Sequence, residues 1–139
     1  MTRHDELIEA AASRLNPHTH GDRLFGDVAA TLVTTDGLRY SGVCIDTGSG
    51  TGFCAEAAAI GAMVTDGQYR IAKIVAVWRH PDTDRLHVLP PCGRCREFIR
   101  QIDDHNLDTE VVLGLDESQP LAELLPWHGW PAPLDDGST

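Results

Sequence analysis

The sequence predicts a three-layer α/β domain in which helices cover a mixed sheet, and three observations carry that reading. The hydrophobic period switches along the chain in the order helix, strand, strand, helix, strand, strand, helix, strand, helix. One run, Ile71 to Trp78, is apolar and rich in β-branched residues, as a central strand buried on both faces requires. Two predicted helices begin at cysteines, Cys54 and Cys92, so that two thiols stand where a helix dipole favours an anion.

From Asp5 to Leu15, the residues Leu7, Ile8, Ala11, Ala12 and Leu15 recur at helical spacing, and Asn16-Pro17 ends this first helix. His18 to Phe25 reads as loop. From Asp27 the pattern becomes that of a strand, through Val28, Leu32 and Val33. The turn residues Thr35-Asp36-Gly37-Leu38 then lead into a second strand through Tyr40, Val43 and Ile45. Gly48-Ser49-Gly50-Thr51-Gly52 is a flexible loop, and Ala55 to Val64 is dense in helix formers until Asp66-Gly67 stops it.

After the central strand comes a polar loop, His80 to Arg85, and a short strand, Leu86 to Leu89, which Pro90-Pro91 terminates. Helix resumes from Cys92 to about Asp103, with Phe98, Ile99 and Ile102 on one side. Glu110 to Leu115 reads as strand and Ser118 to Leu125 as a last short helix. With no repeat and no linker, residues 1–139 read as one domain, and 131–139 as a flexible tail.

Charge and composition narrow the function. With 21 acidic and 11 basic residues the formal charge is -10, which disfavours a nucleic-acid partner and suits a small neutral or cationic molecule. The start, Met1-Thr2-Arg3-His4-Asp5-Glu6, carries charge where a secretory signal needs an apolar run, and no stretch has the length of a membrane span. The expected compartment is the cytoplasm, with no membrane partner. There, four cysteines in 139 residues argue for metal binding or catalysis before disulfides.

Pro91-Cys92-Gly93-Arg94-Cys95 sets two sulfurs on a tight loop at a helix start, a spacing that lets both reach one tetrahedral ion. A redox pair has the same Cys-x-x-Cys spacing, but needs neither the third soft ligand nor the nearby carboxylate that Cys54-Ala55-Glu56 offers. Three ligands, Cys54, Cys92 and Cys95, leave a fourth position of zinc open to water, which separates a catalytic zinc from a closed structural one. A non-catalytic zinc scaffold would need a fourth protein ligand, and the spare Cys44 lies on a strand with no clear reason to reach the site.

Cys54-Ala55-Glu56 followed by Ala59-Ile60, together with Pro91-Cys92-Gly93-Arg94-Cys95-Arg96, resembles the zinc-dependent cytidine deaminase family, in which a ligand, a Glu two residues on and Pro-Cys-x-x-Cys form the centre. The resemblance runs from about Leu7 to Trp130. Its three-cysteine form is similar to the small homotetrameric enzymes and, through Val88 to Arg96 and Glu123-Leu124-Leu125-Pro126, to the blasticidin S deaminases. It implies a cytidine-deaminase-like fold around a five-stranded mixed sheet and a homotetramer whose subunits complete one another's sites. The implied chemistry is hydrolytic deamination of the cytosine base of a nucleoside, with Zn²⁺ held by Cys54, Cys92 and Cys95 and with Glu56 as catalytic base and then acid.

The resemblance also implies substrate contacts at Phe25, Cys44, Asp46 and Ala55. Relatives carry an Asn and a Glu where this chain has Cys44 and Asp46, a change at the sugar end. That points either to a cytidine or deoxycytidine enzyme or to one acting on a cytosine-bearing antibiotic of the blasticidin S type or another amino-heterocycle. Each contact has a plainer alternative: Cys44 as packing, Asp46 as a strand-end turn former, Phe25 as core. Three thiolates leave the ion formally negative, and relatives place an Arg directly after Cys-Ala-Glu. This chain has Ala57 there, so Arg94 or Arg96 is expected to supply that charge, with Arg96 favoured. Trp127 and Trp130 either wall a neighbouring subunit's site or staple the tail to the domain.

Overall fold

The computed structural model describes residues 2–135. Its elements are α1 (His4–Ala12), β1 (His18–His20), β2 (Arg23–Thr34), β3 (Arg39–Asp46), α2 (Ala55–Thr65), β4 (Ile71–Arg79), β5 (Leu86–Leu89), α3 (Gly93–Ile102), a 3-10 turn (Asp104–Asp108), β6 (Glu110–Val112), β7 (Ser118–Pro120) and α4 (Leu121–Leu124). No helix among the described residues is long and apolar enough to cross a membrane.

The sheet is built on β4. β2 runs antiparallel along one of its edges, from Val28 opposite Trp78 to Thr34 opposite Ile71, and β3 pairs with the other edge of β2. Along the far edge of β4, β5 is antiparallel to its C-terminal half and β6 parallel to its N-terminal half. The alternation of side chains sorts the core into two layers. Ala30 and Leu32 of β2 join Ile74 and Ala76 of β4 beneath α2 and α3, while Ala29 and Val33 join Val75 and Val77 beneath α1. Ile74, Val75 and Val77 are each 2 % exposed or less. Burying side chains of this size is worth about 1.5–3 kcal/mol each, which is why a strand apolar on both faces takes the centre.

The α2–β3 approach is close. A Cβ on Gly42 would fall 2.5 Å from both Ala58 Cβ and Ala59 N, so only glycine lets the helix lie so near the strand. At the other end of β4, Asn106 is wholly buried and accepts a hydrogen bond from Ile71 N at 2.8 Å while donating to the carbonyls of Tyr69 and Ile99. One side chain thus ties the entry of β4 to the exit of α3.

The strand count departs from the five predicted, because the sheet has seven strands among the described residues. The segment His18 to Phe25, read as loop, forms β1 and the start of β2 around a turn at Gly21, and every residue of β1 is exposed, so no alternation marked it. Ser118 to Leu125, read as helix, divides into β7 and α4. Pro120 closes the strand at a sheet edge and serves as the N-cap of the helix. Phe98 is 38 % exposed and does not join Ile99 in the core. Of the tail predicted as flexible, 131–135 are exposed and 136–139 lie outside the described residues. Trp127 and Trp130 are fully exposed, so neither staples the tail to this domain.

Candidate active site

Two helix starts bring the chemistry together. Cys54 and Cys92 are the N-cap residues of α2 and α3, both in extended backbone conformation, and Cys95 lies in the first turn of α3 on the face that Cys92 shares. The three Sγ atoms lie within 4.8 Å of one another, and those of Cys54 and Cys92 are 3.7 Å apart. Sulfurs at tetrahedral corners about 2.3 Å from zinc are separated by about 3.8 Å, so the spacing fits that ion.

The protonation pattern also fits a cation. Burial first, then neighbouring sulfur, pushes the Cys54 thiol up, and burial with the charges of Glu56, Cys54 and Cys92 pushes Cys95 up further. Cys92 is more exposed. Burial works against its thiolate, but hydrogen bonds from the backbone of Cys95 and Arg94 and from the neighbouring thiols outweigh that and lower it. Anions packed this closely oppose one another's ionisation until a positive ion relieves them.

Glu56 sits in the first turn of α2, 6 % exposed. Burial raises its pKa, against a smaller lowering from its own backbone N–H. A carboxyl in that state exchanges a proton closer to neutrality than an exposed one does, as an acid–base group requires.

Cys54, Ala55, Glu56 and Cys92 line a cavity of about 200 Å³ together with Cys44, Asp46 and Val28. Cys44 is 5 % exposed and donates its thiol proton to Asp27 Oδ1 at 2.8 Å. Burial and that carboxylate push the thiol up to about 11. The position of Asp27 comes from a β-bulge. Phe25 pairs with Ile45 and Ala29 with Val43, so three residues of β2, Gly26 to Val28, oppose Cys44 alone. Gly26 makes this possible with φ +73° and with its Cα hydrogen turned to Asn16, whose carbonyl would lie 2.3 Å from a Cβ there.

Cys54, Ala55, Glu56, Cys92, Cys44 and Asp46 therefore share one cavity, and the Cys95 sulfur clusters with those of Cys54 and Cys92. Phe25 does not line this cavity. It stacks at 6.1 Å on His18, and Val28 of the bulge takes the wall. Neither arginine donates to a sulfur: Arg96 bonds the carbonyls of Pro91 and Leu124, and Arg94 the carbonyl of Gly52. Arg96 thereby holds the loop that carries Cys92 from behind. Asp27 was missed because it reads as an ordinary strand start, although a glycine inside a strand, Gly26, is the usual mark of a bulge. A larger groove of about 510 Å³ lies at the opposite end of β4. Its Lys73 amine is already engaged by the Thr2 carbonyl at 2.7 Å and by Glu110 at 3.6 Å.

Residues 1–111 match the family model described as the cytidine and deoxycytidylate deaminase zinc-binding region. A blasticidin-S deaminase of Bacillus cereus is 38% identical over 115 residues, covering 79% of this chain and 78% of that protein. A cytidine deaminase of Halalkalibacterium halodurans is 30% identical over 115 residues, covering 82% and 80%. Among solved structures, the cytidine deaminase of Burkholderia pseudomallei superposes with a TM-score of 0.70 at 28% identity, covering 91% of this chain and 98% of that one. The Mycobacterium tuberculosis enzyme, at 24% identity and a TM-score of 0.73 over 91% and 96%, shares the fold. With its single mixed sheet between helices, its paired helix-start cysteines and a family match spanning both of them, the chain belongs to the cytidine and deoxycytidylate deaminase family.

Proposed function

We propose that this protein is a zinc-dependent aminohydrolase that deaminates the cytosine base of a nucleoside-like molecule to the uracil form, releasing ammonia. The observation that carries the reading is the cluster of three thiols at two helix N-termini, two of which, Cys54 and Cys92, share one cavity with the buried carboxyl of Glu56. Zinc bound by Cys54, Cys92 and Cys95 would supply the Lewis acidity that makes water a nucleophile at neutral pH. Glu56 accepts the proton of the water that adds at C4 and passes it to ring N3, then takes the proton of the new C4 hydroxyl and delivers it to the departing amine, so that the C–N bond breaks as the C4 carbonyl forms and ammonia leaves. The two helix dipoles favour negative charge on Cys54 and Cys92, and Arg96 fixes the backbone that aims Cys92.

Among the described residues no fourth side chain joins the three sulfurs as a ligand, which supports a catalytic over a purely structural zinc. The same reading holds one domain over 1–139, acting in the cytoplasm as a homotetramer. The free thiols and the two exposed tryptophans support it.

An ammonia-release assay on zinc-loaded protein tests the reading across cytidine, deoxycytidine, 5-methylcytidine, blasticidin S, cytosine, aminopurines and pterins. Turnover of cytosine-bearing compounds, abolished in Glu56→Gln with zinc content and fold intact, is expected. An active Glu56→Gln enzyme would overturn the mechanism. The wall formed by Cys44 and Asp46 favours a second substrate, a cytosine-bearing antibiotic of the blasticidin S type, over plain cytidine.

A further inference from the structure

Of the three cysteines at the site, Cys92 is the one that packing does not hold. It is exposed, whereas Cys95 is buried and Cys54 half-buried. An exposed cysteine keeps its sulfur in place only if its backbone is fixed, because the two peptide planes flanking its Cα set the direction of the Cα–Cβ bond. Pro90 and Pro91, just before it, carry no N–H with which to tie this loop to its neighbours.

Both planes are held by one residue. The backbone N–H of Arg96 donates to the Cys92 carbonyl at 3.0 Å, and its side-chain Nε donates to the Pro91 carbonyl at 2.8 Å. A third donor of the same residue, Nη1, reaches the Leu124 carbonyl at 3.1 Å, 28 residues further on. Leu124 is the last residue of α4, so its carbonyl has no partner within that helix. α4 is in turn anchored by Leu121, which is wholly buried in the core layer that contains Ile99 of α3 and whose N–H donates to the Thr109 carbonyl at 2.9 Å.

We infer that Arg96 is a positioning residue that makes α4 part of the metal centre: its guanidinium carries the position of Leu124 to the peptide before Cys92, and so sets the affinity for zinc. Arg96 donates to no sulfur and acts only through the backbone that bears one. Its planar fork serves two carbonyls from different segments at once, which a single ammonium nitrogen does not reproduce. The inference rests on the three-cysteine zinc reading and adds that one ligand is placed by a helix that contributes none. Removing an outer partner of a metal ligand typically weakens the metal by about 10–100-fold.

The test measures zinc affinity of the full chain by competition with a chromophoric chelator, and ligand geometry by the thiolate-to-metal absorption of the cobalt(II)-substituted protein. Arg96→Met should weaken zinc by about 10-fold or more and shift the cobalt bands, and Arg96→Lys should restore only part of both. Val33→Ala, in the core layer beneath α1, is the control for general destabilisation: the zinc-free protein should melt earlier while zinc affinity stays within about twofold of native. Leu121→Ala loosens α4 without touching Arg96. It should weaken zinc several-fold in the native background and much less in Arg96→Met, where the link it acts through is already gone. The inference is overturned by native affinity and native cobalt bands in Arg96→Met, or by a Leu121→Ala effect of equal size in both backgrounds. Where Arg96→Met does not fold, the same comparison in Arg96→Lys decides. A native chain that binds no zinc would overturn the metal reading and this inference with it, whereas native and variant chains that bind zinc equally well would overturn the inference alone.

Discussion

Gly42→Ala should damage both stability and catalysis without touching a chemical group. The new Cβ would lie 2.5 Å from Ala58 Cβ and from Ala59 N and 2.7 Å from Ala58 C, against an optimum of about 3.5–4.0 Å for nonbonded carbons. Two of these atoms belong to helix backbone, so no rotamer change relieves the clash, and α2 must retreat from β3 by about 1 Å. Overpacking of this kind costs about 1–3 kcal/mol. For a domain of this size that is a fall in Tm of about 4–12 °C. Because Cys54 caps α2 and Glu56 lies in its first turn, the retreat also moves a thiol and the acid–base group away from Cys92 and Cys95 on α3. A misplacement of about 1 Å is worth roughly 100-fold in rate. Thermal denaturation with zinc content and ammonia release would read out all three effects. Gly61→Ala is the control, because Gly61 lies in the same helix with nothing within 4 Å of its added carbon and should gain about 0.5–1 kcal/mol. If Gly42→Ala melts and turns over like the native protein, the argument that this contact sets the helix position is wrong.

Cys92→Ala should lose the metal and with it part of the stability, and chelation of the native protein should lower Tm until zinc is restored, because an ion that binds only the folded state stabilises it by mass action. Asn106→Ala should cost about 2–3 kcal/mol in urea denaturation, since it strands the buried Ile71 N–H and leaves two carbonyls without their donor. Glu110 is held below the usual carboxylate range by its hydrogen bond from Ser118, then by His4 and Lys73, against partial burial. Its folded pKa is the lower one, so its contribution is present above the unfolded value near 4.5 and is lost as pH falls through the folded value. Glu110→Gln should therefore flatten the acid limb of a stability–pH curve, and an unchanged limb would exclude this cluster as its source.

What could be read from the sequence divides by the range of the interaction that determines it. Cys92 and Cys95 fall on one face because three residues span one helical turn, and Cys54 and Glu56 are two residues apart at a helix start, so the reacting groups were visible as local spacing. β4 announced itself because both of its faces are buried. Asp27 is different, since its place depends on how seven residues of β2 pair with β3 on the far side of a turn, and nothing in its neighbours except Gly26 reports that. Phe25 lies outside the cavity for the same reason, as after the bulge it is Val28 that lines it. β1 and β7 escaped notice because an exposed three-residue strand buries too little to leave a pattern. Arg96 lay near enough in sequence to serve the thiolates, but its donors answer carbonyls left unpaired where Pro91 and Leu124 end their segments.

The bulge of β2 has a consequence for how such a protein diversifies. The reacting groups ride on α2 and α3, while the same cavity is lined by Val28, at the end of the irregular stretch of β2, and by Cys44 and Asp46 of β3. Regular pairing resumes at Ala29 opposite Val43 whatever fills that stretch, so gaining or losing a residue there re-faces the wall without flipping the sheet beyond it. A residue added or removed at this one strand irregularity would therefore reshape the cavity beside Val28 and Cys44 while leaving Cys54, Glu56, Cys92 and Cys95 on their helices.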